Sequence, residues 1–264
     1  MAPGIFHASE FYGDGENRLA DQIKSDSGLI LDHLLLLQDR IDRSCARAGR
    51  PPASVRCVAV SKGHPAGAVR AAVSAGLADI GENRVQEALD KAPHLSDIAI
   101  RWHLVGTLQS NKVRPAVRTF SMIHSLDRPE LAAAIQKESE RIGRTVDVLI
   151  QVEPTGEPAK HGVKPDAALA MAESLGRLPN IRLRGFMAIG PLPVSPTPAD
   201  TAPARACFKT VRELFDQFRK SGRAAEEFDT LSMGMSDDFE IAIEEGATLI
   251  RVGTILFGPR PVRV

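Results

Sequence analysis

The 264-residue sequence predicts a single-domain (β/α)8 barrel of the TIM type with an extra N-terminal helix. Three observations predict it. Eight short β-favouring runs follow one another from residue 55 onward, each after the first reached through a helical segment. The turn after the first run is Ser61-Lys62-Gly63-His64, so the glycine-rich fingerprint that a doubly wound open sheet would carry there is missing. The length also suits such barrels, which commonly run to ~250 residues as one domain.

Residues 1–27 read as a flexible arm with a short helix over 16–23, and residues 28–264 as the barrel. Ser27-Gly28 opens a helix whose stripe is Ile30, Leu34, Leu37, Ile41 and Cys45, and Gly49-Arg50-Pro51-Pro52 ends it. Strand one, residues 55–60, is rich enough in Val, Cys and Ala to be buried on both faces, and Gly63 and Pro65 stop it. An alanine-rich helix over 66–75 leads to strand two at 77–80, which ends in Gly81-Glu82-Asn83, and a further helix runs to Lys91. Strand three (100–105), a helical segment (108–117) and strand four (122–125) follow. A helix over 129–142 then carries Pro129 in its first turn, where the missing N–H costs nothing. Strand five (146–152), a helix (165–175) and strand six (181–189) continue the rhythm. Residues 191–204, dense in proline and small side chains, read as a mobile surface loop. Cys207, Val211, Leu214 and Phe218 stripe the next helix, before strand seven (228–233), a helix (239–245) and strand eight (248–252).

Thirty-three basic residues balance thirty-three acidic ones, so no nucleic-acid or membrane partner is expected. No apolar run approaches the ~18 residues of a membrane span, and the N-terminus lacks a signal pattern. Cys45, Cys57 and Cys207 form no CxxC pair and read as small core residues of a protein in a reducing, cytoplasmic compartment. The seven histidines make no HExxH motif and no close cluster, so no metal site is expected. Trp102 reads as packing.

In a closed barrel all C-terminal strand ends face one mouth, where ligands bind. Lys62 projects there from strand one. A partly desolvated lysine is a nucleophilic amine suited to a Schiff base, although a lysine at a strand end can equally snorkel to water. Ser61 points to the opposite face, which rules out a Ser61-Lys62 dyad. Glu82 and Asn83 arrive from strand two, His103 or Gly106 from strand three, and Lys160 from the loop beyond strand five. Barrels hold phosphate in the loops after strands seven and eight. Here those loops offer Ser236, placed to cap the next helix, then Gly253, which lets backbone approach closely, and the Thr254 hydroxyl. Asp237 and Asp238 pull the other way, because they satisfy the helix dipole without a ligand. An amine beside a phosphate cradle leaves two chemistries open: an aldolase for a phosphorylated carbonyl, or a site for pyridoxal 5'-phosphate (PLP).

Several stretches carry a resemblance. They are Ala59-Val60-Ser61-Lys62, Gly81-Glu82-Asn83-Arg84-Val85-Gln86-Glu87, Trp102-His103-Leu104-Val105-Gly106 and Leu108-Gln109-Ser110-Asn111-Lys112. Further on come Leu183-Arg184-Gly185-Phe186-Met187-Ala188-Ile189, Leu231-Ser232-Met233-Gly234-Met235-Ser236-Asp237-Asp238 and Arg251-Val252-Gly253-Thr254-Ile255-Leu256-Phe257-Gly258. In this order, across residues 55–260, they resemble the pyridoxal phosphate homeostasis protein family. Thr107 departs from the proline usual there, and the N-terminal arm is longer than expected.

The resemblance implies a barrel like the N-terminal domain of alanine racemases, with PLP as a Schiff base on Lys62. It implies phosphate contacts from Ser236, Gly253 and Thr254, Arg251 facing the pyridine nitrogen, Asn83 beside the ring, and Lys160 near a substrate carboxylate. It further implies a monomeric PLP carrier acting in vitamin B6 and amino-acid balance, with apo PLP-dependent enzymes as acceptors and no turnover. Arginine at the ring nitrogen discourages its protonation and weakens the electron sink. The rival reading is a PLP-dependent enzyme acting on amino acids, such as a racemase. Racemisation needs a second base, and in alanine racemases a tyrosine from another domain supplies it. The sole tyrosine here is Tyr12, in the arm.

Overall fold

The computed structural model describes residues 13–156, 161–193, 195 and 197–260. Eight parallel strands close into a barrel in sequence order: β1 (Arg56–Val60), β2 (Asp79–Glu82), β3 (Arg101–Leu104), β4 (Met122–Leu126), β5 (Val146–Gln151), β6 (Ile181–Met187), β7 (Thr230–Ser232) and β8 (Leu249–Val252). Around them lie α1 (Gly13–Arg47), α2 (Ala66–Ser74), α3 (Val85–Lys91), α4 (Val113–Thr119), α5 (Pro129–Arg141), α6 (Pro165–Leu175), α7 (Pro198–Lys220), α8 (Phe239–Glu244) and α9 (Thr254–Phe257). The expected TIM-type barrel is present. No described helix is long and apolar enough to cross a membrane.

Strand side chains alternate between two destinations. One phase packs outward on the helices: Ala59, Ile80, Trp102, Leu104, Ile123, Val148, Phe186, Leu231 and Ile250 share one buried cluster with the helix faces. The other phase fills the barrel, where Val58, Val60, Val105, Met122, Leu149, Met187 and Leu249 form a separate cluster. Burying each such side chain contributes about 1.5–3 kcal/mol. The wall closes tightly at Gly185. Its φ is +150°, and a Cβ there would sit 1.8 Å from the Thr230 carbonyl oxygen, so only glycine fits between β6 and β7. The pairing of β5 with β6 shifts register at the same place.

Two expectations about the chain's course are corrected. The first helix does not open at Ser27-Gly28, because α1 already runs from Gly13. One glycine inside a helix costs only about 1 kcal/mol, too little to interrupt a long one. Nor is the whole of 191–204 a loop, since α7 begins at Pro198. Thr197 caps it by accepting the Asp200 N–H at 3.3 Å, and Pro198 takes the first position, where its fixed φ suits a helix. Composition suggested a loop, and the cap overrode it. The α1 stripe is as read: Ile30, Leu37, Ile41 and Cys45 are buried and Leu34 partly so. Ion pairs from Arg40 to Glu240 (2.9 Å) and from Arg47 to Glu244 (2.7 Å) tie α1 to α8.

Candidate functional site

The barrel-filling phase of each strand continues into the mouth. On β1, Val58 and Val60 lead by twos to Lys62, and on β8, Leu249 leads to Arg251 and Gly253. The same step takes Gly81 on β2 to Asn83. A cavity of about 430 Å³ opens there, lined by Lys62, Asn83, Ser236, Arg251, Gly253 and Thr254 together with Gly106, Asp237 and Arg260. Six of the seven candidate residues therefore meet in one hollow. The seventh, Lys160, lies outside the described residues, as does Tyr12. A larger hollow of about 650 Å³ lies on the outer wall beside the N-terminal end of β6, away from the strand ends that gather these groups.

Ser236 does not cap α8. Asp238 stands at the cap position, and its Oδ1 accepts the Met235 N–H at 2.6 Å. The turn is closed from below by this carboxylate, which leaves the Ser236 hydroxyl at the mouth, accepting the Gly253 N–H at 3.4 Å. Burial raises the Asp238 pKa, although the Met235 N–H and Arg251 oppose the shift. Two glycines bring backbone close. A Cβ on Gly253 would lie 3.0 Å from the Val60 carbonyl oxygen, and one on Gly106 only 2.2 Å from that of Asn83. Glycine at 106 is what lets the Asn83 backbone pass this close.

Arg251 is buried beneath the cavity. Its Nη1 donates to the Ser232 carbonyl (2.6 Å) and hydroxyl (2.7 Å), and its Nη2 to the Ala188 carbonyl (2.9 Å). Burial lowers its pKa to about 10, with Asp238 acting in the opposite direction, so the guanidinium stays charged at neutral pH. With Lys62 and Arg260 facing Asp237 around the same hollow, positive charge dominates the lining. An anionic, aldehyde-bearing ring compound fits this donor set. The amine, the hydroxyls and the close-approach glycine are those that a phosphate and a carbonyl need.

His103 is not at the mouth, where it was one of two expected arrivals from strand three. It lies one layer down, bonded to Asp79 (2.9 Å) and His124 (3.0 Å), and Gly106 is the residue that reaches the cavity. His161 lines a smaller neighbouring hollow of about 250 Å³ with Gln151 and Glu153. Sequence reading missed two clusters. One is the interior chain of Asp79, His103, His124 and Ser232. The other lies behind Lys62, where Glu82 Oε1 accepts from Ser61 Oγ (2.6 Å) and Lys91 Nζ (2.5 Å). The available signal was the period-two phase, which puts Asp79 and His103 in the interior and Ser61 and Glu82 outside.

A closed parallel barrel with this mouth is of the class of the alanine racemase N-terminal domain, and that family's model matches residues 34–261. The alanine racemase of Clostridium difficile shares the fold at a TM-score of 0.69 and 15% identity, over 87% of this chain and 57% of that one. More similar are proteins named pyridoxal phosphate homeostasis protein. That of Pseudomonas aeruginosa is 44% identical over 231 residues, 88% of this chain and 96% of its own length. That of Aquifex aeolicus is 41% identical over 229 residues, 87% and 97% of the two chains. The chain belongs to the pyridoxal phosphate homeostasis protein family. Among solved structures, PipY of Synechococcus elongatus with PLP bound is 38% identical at a TM-score of 0.73, covering 87% of this chain and all of that one.

Proposed function

We propose that this protein binds PLP at the barrel mouth, anchors it on Lys62 and keeps it available in the cytoplasm, as a monomer and without turning over an amino acid. The observation that carries the reading is the convergence of Lys62, Arg251 and the Ser236, Gly253 and Thr254 group on one cationic cavity. The PLP-bound PipY relative supports it. When bound, PLP supplies an aldehyde that condenses with a lysine amine. Ser236 Oγ, Thr254 Oγ1 and the backbone at Gly253 hold the phosphate, and Asn83 lies beside the ring. Arg251, a fixed cation with no proton to give at neutral pH, donates a hydrogen bond toward the ring nitrogen without protonating it. That arrangement keeps the electron sink weak, which suits storage rather than carbanion chemistry. Lys160 is retained as a contact for a ligand carboxylate.

The test is delivery. Protein loaded with PLP and freed of excess is mixed with an apo PLP-dependent enzyme, and the recovered activity is followed. Reactivation that matches the loaded PLP supports the reading. A protein that takes up no PLP, or one that releases none to any acceptor, overturns it.

A further inference from the structure

A hydrogen-bonded chain crosses the barrel interior beneath the mouth. Arg251 Nη1 lies 2.7 Å from Ser232 Oγ, which lies 3.0 Å from His124 Nδ1. His124 Nε2 lies 3.0 Å from His103 Nδ1, and His103 Nε2 lies 2.9 Å from Asp79 Oδ1. Asp79 ends the chain at the barrel floor, where Arg101 bonds both its oxygens at 2.7 and 2.8 Å. Ser232, His124, His103 and Asp79 are all buried, so each hydrogen must find its acceptor inside the chain.

Counting hydrogens fixes their direction. Arg251 has only donors, so Ser232 Oγ accepts there. The Asp79 carboxylate, held well below the usual range despite burial by its bonds to Arg101 and His103, accepts at the other end. Between these ends, one arrangement with two neutral imidazoles leaves nothing unmatched. Ser232 O–H donates to His124 Nδ1, His124 Nε2–H to His103 Nδ1, and His103 Nε2–H to Asp79. A hydrogen on His124 Nδ1 would instead aim at the oxygen that already takes Arg251's hydrogen, and would strand the serine's own. The groups facing His124 are His103, Arg251, Arg56 and Asp79; burial, with the first three, holds its pKa well below the ordinary value, and Asp79 opposes weakly.

We infer that His124 and His103 are positioning residues for Arg251: through the Ser232 hydroxyl they run hydrogen bonds one way to Asp79 and so fix the guanidinium against the ring nitrogen of bound PLP. The inference rests on the PLP reading above, and its test separates the two. In the PLP-free protein, histidine-selective ¹⁵N NMR should find the His124 ring neutral with hydrogen on Nε2 across about pH 6 to 8. A His124 carrying hydrogen on Nδ1 in that range overturns the inference, whatever PLP does. The second arm compares PLP with its analogue that has carbon in place of the ring nitrogen. His124→Phe should weaken PLP binding about tenfold and leave the analogue nearly unaffected, because only PLP uses the Arg251 contact. Equal losses for both ligands, or no loss for either, overturn the inference in favour of a packing role. Should His124→Phe fail to fold, Ser232→Ala, which cuts the same array one link nearer Arg251, is put through the same comparison. If the wild-type protein takes up neither ligand, the PLP reading fails, and the NMR arm alone decides the array.

Discussion

Ser61 and Lys62 are consecutive in the chain and serve opposite sides of the barrel wall. Ser61 Oγ donates to Glu82 Oε1 at 2.6 Å in the layer facing α3, whereas Lys62 lines the mouth. The Ser61 carbonyl accepts Lys91 Nζ at 2.8 Å and the His64 N–H at 3.0 Å, so the residue preceding Lys62 is held from behind by three hydrogen bonds. A ligand anchored on Lys62, as proposed, would sit on a strand end tied down by these bonds. Anchoring and rigidity come from adjacent residues because the pleat sends them apart.

Lys62→Ala should abolish the PLP absorption band and leave the fold intact. The side chain lines the cavity and belongs to neither buried cluster, so its loss opens no void in the core. Borohydride reduction of the loaded wild-type protein, followed by peptide mapping, should place the adduct on this residue. An adduct found only on another lysine would refute the assignment.

Stability should depend on pH through two buried carboxyls acting in opposite windows. Burial and the neighbouring Glu87 raise the Glu82 pKa to about 7, against the pull of Lys91 and Ser61. The folded state therefore binds this proton more tightly than the unfolded chain, and the resulting stabilisation, full at about pH 4, fades as pH rises through about 7. Asp79 behaves oppositely: its bonds to Arg101 and His103 depress its pKa, so its contribution is full near neutrality and fades as pH falls below about 4. Urea unfolding at stepped pH reads both. Glu82→Gln should flatten the decline between about pH 5 and 8, and Asp79→Asn the acid one. An unchanged slope in Glu82→Gln would mean that Lys91 keeps the carboxylate ionised throughout.

Much of this was legible in the sequence because it follows from the strand period. Once β1 is phased by Val58 and Val60, Lys62 must share their face, and the same counting places Arg251 and Gly253. What period two does not give is depth or partner. His103 shares its phase with Val105, yet whether it reaches the mouth depends on how far β3 is staggered against β2. The pairing of His103 with Gly81 sets it below the cavity. His103 and His124 are distant in sequence and meet only because β3 and β4 are neighbours, so their spacing in the chain does not reveal the pair. The capping of α8 was misread for a local reason: Ser236 and Asp238 are both good caps, and the left-handed Gly234 (φ +89°) turns the chain so that Asp238 takes the position.

Ser236→Ala and Thr254→Val should each weaken PLP more than pyridoxal, which lacks the phosphate. Each removes one hydrogen bond to a charged group, worth about 1.5–3 kcal/mol, or roughly a 10- to 150-fold loss in affinity. Fluorescence or absorbance titration with both ligands reads the difference. Equal losses would show that these hydroxyls do not touch the phosphate.

The last prediction separates a carrier from a racemase. Inverting an amino acid on PLP requires one group to take the α-proton on one face and another to return it on the opposite face. Among the described residues lining the mouth, the titratable ones are Lys62, Asp237, Arg251 and Arg260. Lys62 can serve one face. An arginine guanidinium carries donors only, so neither arginine can serve as the base; Arg251 is in addition committed to Ser232 and Ala188. Asp237 follows Ser236 directly, in the loop proposed to hold the phosphate. His103, the histidine nearest in sequence to a strand end, is buried below the cavity and already bonded on both ring nitrogens. With one usable base among the described residues that line the mouth, alanine and serine should show at most trace racemisation. The direct measurement is deuterium incorporation at Cα by NMR, with the D- and L-isomers assayed separately. Retention with slow exchange agrees with a single base at Lys62. Rapid incorporation with inversion, lost in Lys62→Ala, would mean that a second base reaches the other face, and the storage reading would give way to the enzymatic one.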